Sequence, residues 1–300
     1  MRILVILSAL SLLLLGAPGA QAAEPVKIRH IASLYADNAG VSLKNPEGVG
    51  CADGFFVAAD TANQRLLRFT VQGKAVTPEA VYALEKDVVP LTVQISASGE
   101  ILVLDGKSRR ILRLNSKGEL QGHLELKGLP APSRTAFRNF KVDSKGQIHL
   151  LDLFGQRVII VDGEGTYLRH LPFPEGHGFL SDLAVSDQGE IYLLDSVQAR
   201  VYRAGRDATE YEPLSRPLKD VMNFPVSIAL DRTGTLYLVD QYGSGLALVS
   251  RAGEFVGQKI SMGWAEGQLL YPAQACIDQE GILAIADRDN NRLQIFKIVR

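Results

Sequence analysis

One short grammar repeats six times along this chain, and it limits what the chain can fold into. Each copy holds an apolar run, a glycine turn, a second apolar run ending in Asp, a polar tetrapeptide and a third apolar run. The last copy, residues 271–296, reads YPAQACIDQEGILAIADRDNNRLQIF. The Asp stands at Asp60, Asp105, Asp152, Asp195, Asp240 and Asp287, at intervals of 45, 47, 43, 45 and 47 residues. An Arg follows five residues later as Arg65, Arg110, Arg157, Arg200 and Arg292, while the fifth copy has Gly245 there. Units this short cannot bury their apolar faces alone, so they must stack on one another.

Inside each copy the pattern is that of strands. The first runs fall at 48–51, 91–95, 139–142, 182–185, 226–230 and 273–277. The second runs read FFVAAD, ILVLD, IHLLD, IYLLD, LYLVD and LAIAD, and the third RLLRF, RILRL, RVIIV, RVYRA, GLALV and RLQIF. Short runs rich in Val, Ile, Leu and Tyr between turn residues form strands. A weaker fourth run closes most copies, as at 122–126 and 167–171. Four antiparallel strands per copy at this spacing predict an all-β fold, a six-bladed β-propeller. The sixth copy stops after its third run, and a spare run at 26–34 precedes the first copy. That N-terminal strand is expected to complete the last blade, closing the ring and removing exposed sheet edges.

The first residues follow another pattern. Arg2 precedes an apolar stretch at 3–15 and then Ala20-Gln21-Ala22, a small-x-small cleavage site. This predicts an export signal peptide over 1–22 and a single propeller domain over 23–300. The apolar stretch is shorter than the roughly 20 residues of a membrane span, and no later segment is long and apolar enough. The expected location is periplasmic or extracellular, and the expected state is a monomer. With 32 basic and 33 acidic side chains, the formal net charge is −1. No basic stripe stands out, which argues against nucleic acid as a partner.

Blade one reads NPEGVGCADGFFVAADTANQRLLRF, and the last blade opens with GWAEGQLLYPAQACID. In these residues the chain resembles the NHL-repeat β-propellers of the exported bacterial type. Their pattern runs Pro-x-Gly-Val-Ala-Val-Asp, a Gly turn, an apolar strand ending in Asp, a short turn and Arg. The third and fourth copies keep the Asp and Arg without the Pro, and the fifth keeps Pro225 without the Arg. The resemblance spans the mature chain and implies the fold, not one activity, because this fold hosts many. Related propellers include calcium-dependent lactonases with acidic and Asn channel ligands, and a zinc-dependent amidating lyase with several channel histidines.

The recurring Asp and Arg are expected to form structural ion pairs, since a catalytic group is needed only once. Gly245 then leaves Asp240 without its usual partner. The residues expected around one opening of the central channel are Glu47, Thr92, Asn139, Asp182, Ser227 and Gln274, with Arg138 beside Asn139 and His177 in the loop before blade four. They form the candidate ligand-binding set. His149, level with Tyr192 and Tyr237, reads as a packing position. Asp287-x-Asp289-x-Asn291 begins like a calcium loop, but Arg292 replaces the Gly at its sixth position and no acid closes it. No HExxH or GxSxG occurs, so no catalytic residue, metal ligand or cofactor is assigned. Ring closure makes neighbours of the blades carrying Cys51 and Cys276. Side chains alternate along a strand, so the two cysteines either meet across the seam as a disulfide or point away from it. The expected function is an exported, non-catalytic module that binds a protein, peptide or saccharide through its loops. The alternative is a channel-mouth hydrolase or lyase holding calcium or zinc at Glu47, Asn139 and Asp182.

Overall fold

The computed structural model describes residues 26–73, 75–132 and 134–300; the expected signal peptide lies outside them. Six four-stranded antiparallel sheets surround a channel, each sheet one blade. The inner strands are Gly48–Ala52, Pro90–Ile95, Phe137–Val142, Leu180–Val185, Pro225–Leu230 and Ala275–Ile277. The second strands are Phe55–Asp60, Ile101–Asp105, Ile148–Asp152, Ile191–Asp195, Leu236–Asp240 and Ile282–Asp287. The strand Lys27–Leu34 completes the last blade, pairing with Arg292–Val299 from Lys27 opposite Val299 to Leu34 opposite Leu293. No helix among the described residues is long and apolar enough to cross a membrane.

The second strands are apolar on both sides because each side meets a neighbouring blade. Between blades one and two, Val57 and Leu66 pack with Val93, Val103 and Leu112. At the closing seam, Phe56, Leu67 and Phe69 meet Ala284, Leu293 and Ile295. Full burial of such a side chain contributes roughly 1.5–3 kcal/mol, so the stability is spread round the ring. Cys51 and Cys276 are joined as a disulfide across the closing seam, with Cα atoms 5.7 Å apart. At the next seam two glycines let backbones touch: a Cβ on Gly48 would sit 2.2 Å from the Leu91 carbonyl oxygen, and one on Gly50 2.9 Å from that of Val93.

The recurring Asp does more than pair with Arg. In every blade its carboxylate accepts a backbone N–H from the loop that leads into the same blade's inner strand. The donors are Lys44 to Asp60 at 2.7 Å, Val89 to Asp105 at 2.9 Å and Ala136 to Asp152 at 2.9 Å. The others are Gly178 to Asp195 at 2.6 Å, Asn223 to Asp240 at 2.7 Å and Leu270 to Asp287 at 2.7 Å. All six carboxylates are buried. The turn that follows is equally constant. Gln64, Arg109, Gln156, Ala199, Ser244 and Asn291 each stand four residues after the Asp with φ between 47° and 57°.

The expected Asp–Arg pairs form in three blades. Arg65 meets Asp60 at 2.6 Å, Arg157 meets Asp152 at 3.2 Å and Arg292 meets Asp287 at 2.7 Å. The same guanidinium groups also donate to the incoming loop, at Val41, Pro132 and Trp264 carbonyls respectively. Blades two and four depart from the expectation. Arg110 turns outward to Glu125 at 2.7 Å, and the Arg200 Nε has no hydrogen-bond partner among the described residues. There the Asp fills its acceptor sites with turn N–H groups instead: Lys107 and Ser108 on Asp105, Val197 and Gln198 on Asp195. Asp240 likewise takes N–H groups of Phe224 and Gly243, so Gly245 does not leave it unpartnered. A Cβ at Gly245 would meet the movable end of the Gln258 side chain at 2.6 Å and the Ile260 carbonyl oxygen at 3.0 Å, so the position is tight without being closed to a side chain.

These differences set an order of costs. Asp195→Ala strands the N–H donors of Gly178, Phe179, Val197 and Gln198 and should lower stability by about 3 kcal/mol or more. Arg292→Ala removes a buried charge from a buried carboxylate and should cost about 3–5 kcal/mol. Arg200→Ala should cost under about 1 kcal/mol. Urea denaturation of the three variants checks this order; equal losses for Arg200→Ala and Arg292→Ala would contradict it.

Candidate functional site at the channel mouth

Four inner strands carry a bulge just before the channel layer, with the register shifting between Pro90 and Thr92, Phe137 and Asn139, Leu180 and Asp182, and Pro225 and Ser227. A bulge re-aims the side chain that follows it. The residues brought to one level are Gly48, Thr92, Asn139, Asp182, Ser227 and Gln274, each opposite the residue that precedes the Asp of the second strand. Glu47, expected on this level, sits one residue earlier, and Gly48 takes its place. The signal was present in the sequence as the glycine two residues after Pro46, but a polar residue was the more natural choice for a polar ring.

Much of this ring ties one blade to the next. Gln274 Oε1 accepts the Val49 N–H at 3.0 Å, and Ser227 Oγ accepts the Ala275 N–H at 3.3 Å. Asn139 Nδ2 donates to Asp182 Oδ1 at 2.8 Å, and the Ile228 N–H donates to Asp182 Oδ2 at 2.9 Å. Asp182 also accepts its own strand's Leu183 N–H at 2.8 Å, with the Lys141 ammonium 4.0 Å away. Two N–H donors on Oδ1 and one on Oδ2 thus take three of the roughly four acceptor sites of the Asp182 carboxylate. Among the described residues no three His, Cys, Asp or Glu side chains converge as a metal site.

Above this level lies a cavity of about 60 Å³ lined by Glu47, Thr92, Arg138, Ser227, Gln241 and Gln274, among others. Glu47 meets Arg288 at 3.4 Å, and Arg288 also binds Asp289 at 2.9 Å. Burial pushes the Glu47 carboxyl above its ordinary range, with Arg288 and Arg138 opposing the shift. Burial pulls Arg138 below the ordinary guanidinium value, opposed by Asp182 and Glu47 and reinforced by Arg109. His177 is not brought to this cavity. It lies in its loop, its ring edge-on to Phe173 at 5.4 Å and its Nδ1 3.0 Å from the Gly178 carbonyl. His149 is buried in blade three with Nε2 3.1 Å from Asp143. Asp289 is taken by Arg288 and Asn291 caps the turn in the left-handed region, which agrees with an ion-pair turn.

The mouth face carries a second feature that polar patterning did not flag. Two residues after the Asp, blades three, four and five place Phe154, Val197 and Tyr242, which are 57%, 51% and 51% exposed. Tyr242 stacks on Phe224 at 4.9 Å and leans on Tyr271 at 5.6 Å, and Arg288 lies 5.5 Å over Tyr271. Trp264, in the loop leading to the last blade, is 77% exposed. The turn position was readable as a column in the repeat alignment; the apolar entries in it look unremarkable one blade at a time.

No family model matches the chain. A stretch of 124 residues, 41% of this chain, is 32% identical to the E3 ubiquitin-protein ligase TRIM71 of Xenopus tropicalis, of which it spans 13%. Among solved structures, a protein of unknown function from Bacteroides thetaiotaomicron superposes with a TM-score of 0.69 at 13% identity, over 91% of this chain and 76% of that one. A gluconolactonase from Xanthomonas campestris gives 0.66 at 15%, over 93% and 96%. Virginiamycin B lyase from Staphylococcus aureus gives 0.62 at 15%, over 91% and 100%. These likenesses agree with the six-bladed propeller, and at such identities they carry the fold alone.

The raised Glu47 value has a consequence for stability. Folding disfavours its charged form, so the penalty is present above the ordinary value of 4.5 and vanishes below it. Glu47→Gln should therefore not lower the urea midpoint at pH 7, and any gain should shrink as the pH falls towards 4.5 and be gone below it. A clear loss at pH 7 would show that the Arg288 contact outweighs burial.

Proposed function

We propose that this chain is an exported, non-catalytic propeller of the NHL-repeat kind that binds a protein, peptide or saccharide partner with its mouth face. The observation that carries this reading is the exposure of Phe154, Val197, Tyr242 and Trp264 on the turns and loops of the mouth face. Exposed aromatic and apolar side chains grouped on one face are the usual anchors of a recognition surface, where rings bury large area at little entropic cost. The three N–H donors already held by Asp182 support a non-catalytic mouth over a metal-centred hydrolase or lyase.

The test is a comparison of partners captured from the exported fraction by the native chain and by a variant with Phe154, Val197, Tyr242 and Trp264 all changed to Ser. A partner held by the native chain and lost by the folded variant is the expected result. Identical capture by both would refute the role of these four side chains. One equivalent of bound calcium or zinc that supports lactone hydrolysis or lyase turnover would carry the enzymatic alternative instead.

A further inference from the structure

The cavity at the mouth contains two donors, the buried Gln274 amide and the half-buried Arg138 guanidinium, that no acceptor among the described residues receives. Gln274 is 4% exposed. Its Oε1 holds the Val49 N–H across the closing seam, while its Nε2 is buried without a hydrogen-bond partner. Arg138 is the extra residue of the bulge between Phe137 and Asn139, so it stands outside the strand ladder. The two acids that act on it are engaged elsewhere, Glu47 with Arg288 and Asp182 with three N–H groups. Its one aromatic neighbour, Phe179, lies with its ring 5.9 Å from the guanidinium. Around it the cations Arg109, Arg138, Lys141 and Arg288 face the carboxylates Glu47, Asp182 and Asp289, which leaves one positive charge uncompensated.

A buried donor without a partner implies a missing acceptor. We propose that the cavity binds a carboxylate, with the Arg138 fork and the Gln274 amide as its donors. Ser227 adds a third: its oxygen accepts from Ala275, so its own hydrogen is left to give. The guanidinium fork matches the two oxygens of a planar carboxylate. The single uncompensated charge suits a monoanion better than a phosphate dianion. The volume of about 60 Å³ accepts a carboxylate head and little more. The remainder of the ligand then projects into the mouth, either as a small acid or as the end of a peptide whose terminal carboxylate enters the site. This site stands apart from the four exposed side chains: it uses none of them, so either assignment can fail alone.

The experiment is a titration of the whole mature chain, labelled with nitrogen-15, with sodium acetate at fixed ionic strength. The readouts are the side-chain amide signal of Gln274 and the Nε signal of Arg138. Triglycine, triglycine amide, phosphate and chloride are run in parallel. The expected result is a saturable shift of both signals with acetate or triglycine, and none with triglycine amide or chloride. Acetate binding without triglycine binding assigns a free small acid, and tighter triglycine binding assigns a chain terminus. Arg138→Met should weaken binding at least tenfold. Gln274→Glu keeps the acceptor for Val49 while replacing the donor with a negative charge, and it should also weaken binding at least tenfold with the seam intact. It carries the test even where Arg138→Met does not fold. Shifts that chloride or phosphate reproduces equally, or affinities within twofold of native in both variants, would overturn the proposal.

Discussion

The structure depends on one hydrogen bond made six times. A buried aspartate at the end of each second strand accepts the N–H of the segment that enters the same blade from the previous one. The incoming loop crosses from the outer strand of one blade to the channel of the next and has no ladder of its own to satisfy its donors. An ionised acceptor fixed by the strand meets that need and sets where the inner strand begins. Charge-assisted bonds of this kind are stronger than neutral ones, and losing the acceptor strands a buried donor. The arginine five residues later is the variable half. Where it turns inward it holds the same loop by its carbonyls, and where it does not, the aspartate recruits the N–H groups of its own turn.

From this fixed entry point the channel follows. Bulges at the start of four inner strands aim Thr92, Asn139, Asp182 and Ser227 inward. Polar atoms there tie successive blades through backbone N–H groups, and at one seam Gly48 makes the approach by having no side chain. The ring of polar groups is thus a girdle before it is a site. Its departures from that role are informative, because Gln274 Nε2 and Arg138 are donors the girdle does not use.

The fold was legible because the Asp spacing, the Gly turns and the doubly apolar second strands all state one requirement, blades stacked in a closed ring. The spare N-terminal run also followed from counting strands. The candidate site was less so. Arg65, Arg157 and Arg292 looked identical to Arg110 and Arg200, because whether an Arg turns inward depends on the carbonyls the incoming loop offers. Glu47 was one residue out of place, because blade one joins its first two strands by a short turn between the paired Ala52 and Phe55, where blade two spans Ile95 to Ile101, and the register moves by one residue. The faces of Cys51 and Cys276 were open because one step of register turns a strand's side chains to its other face. Phe154, Val197 and Tyr242 share one column of the repeat, and the fold adds that this column is exposed.

Amide hydrogen exchange at six positions tests the central claim most directly. Lys44, Val89, Ala136, Gly178, Asn223 and Leu270 lie in loops outside any strand, where amides ordinarily exchange fast. If the aspartates hold these loops, all six amides exchange as slowly as those of the second strands, in blades with the Arg pair and without it. Rapid exchange at these positions, or protection only in the blades of Arg65, Arg157 and Arg292, would show that the aspartate bond is a consequence of the ring and not what organises it.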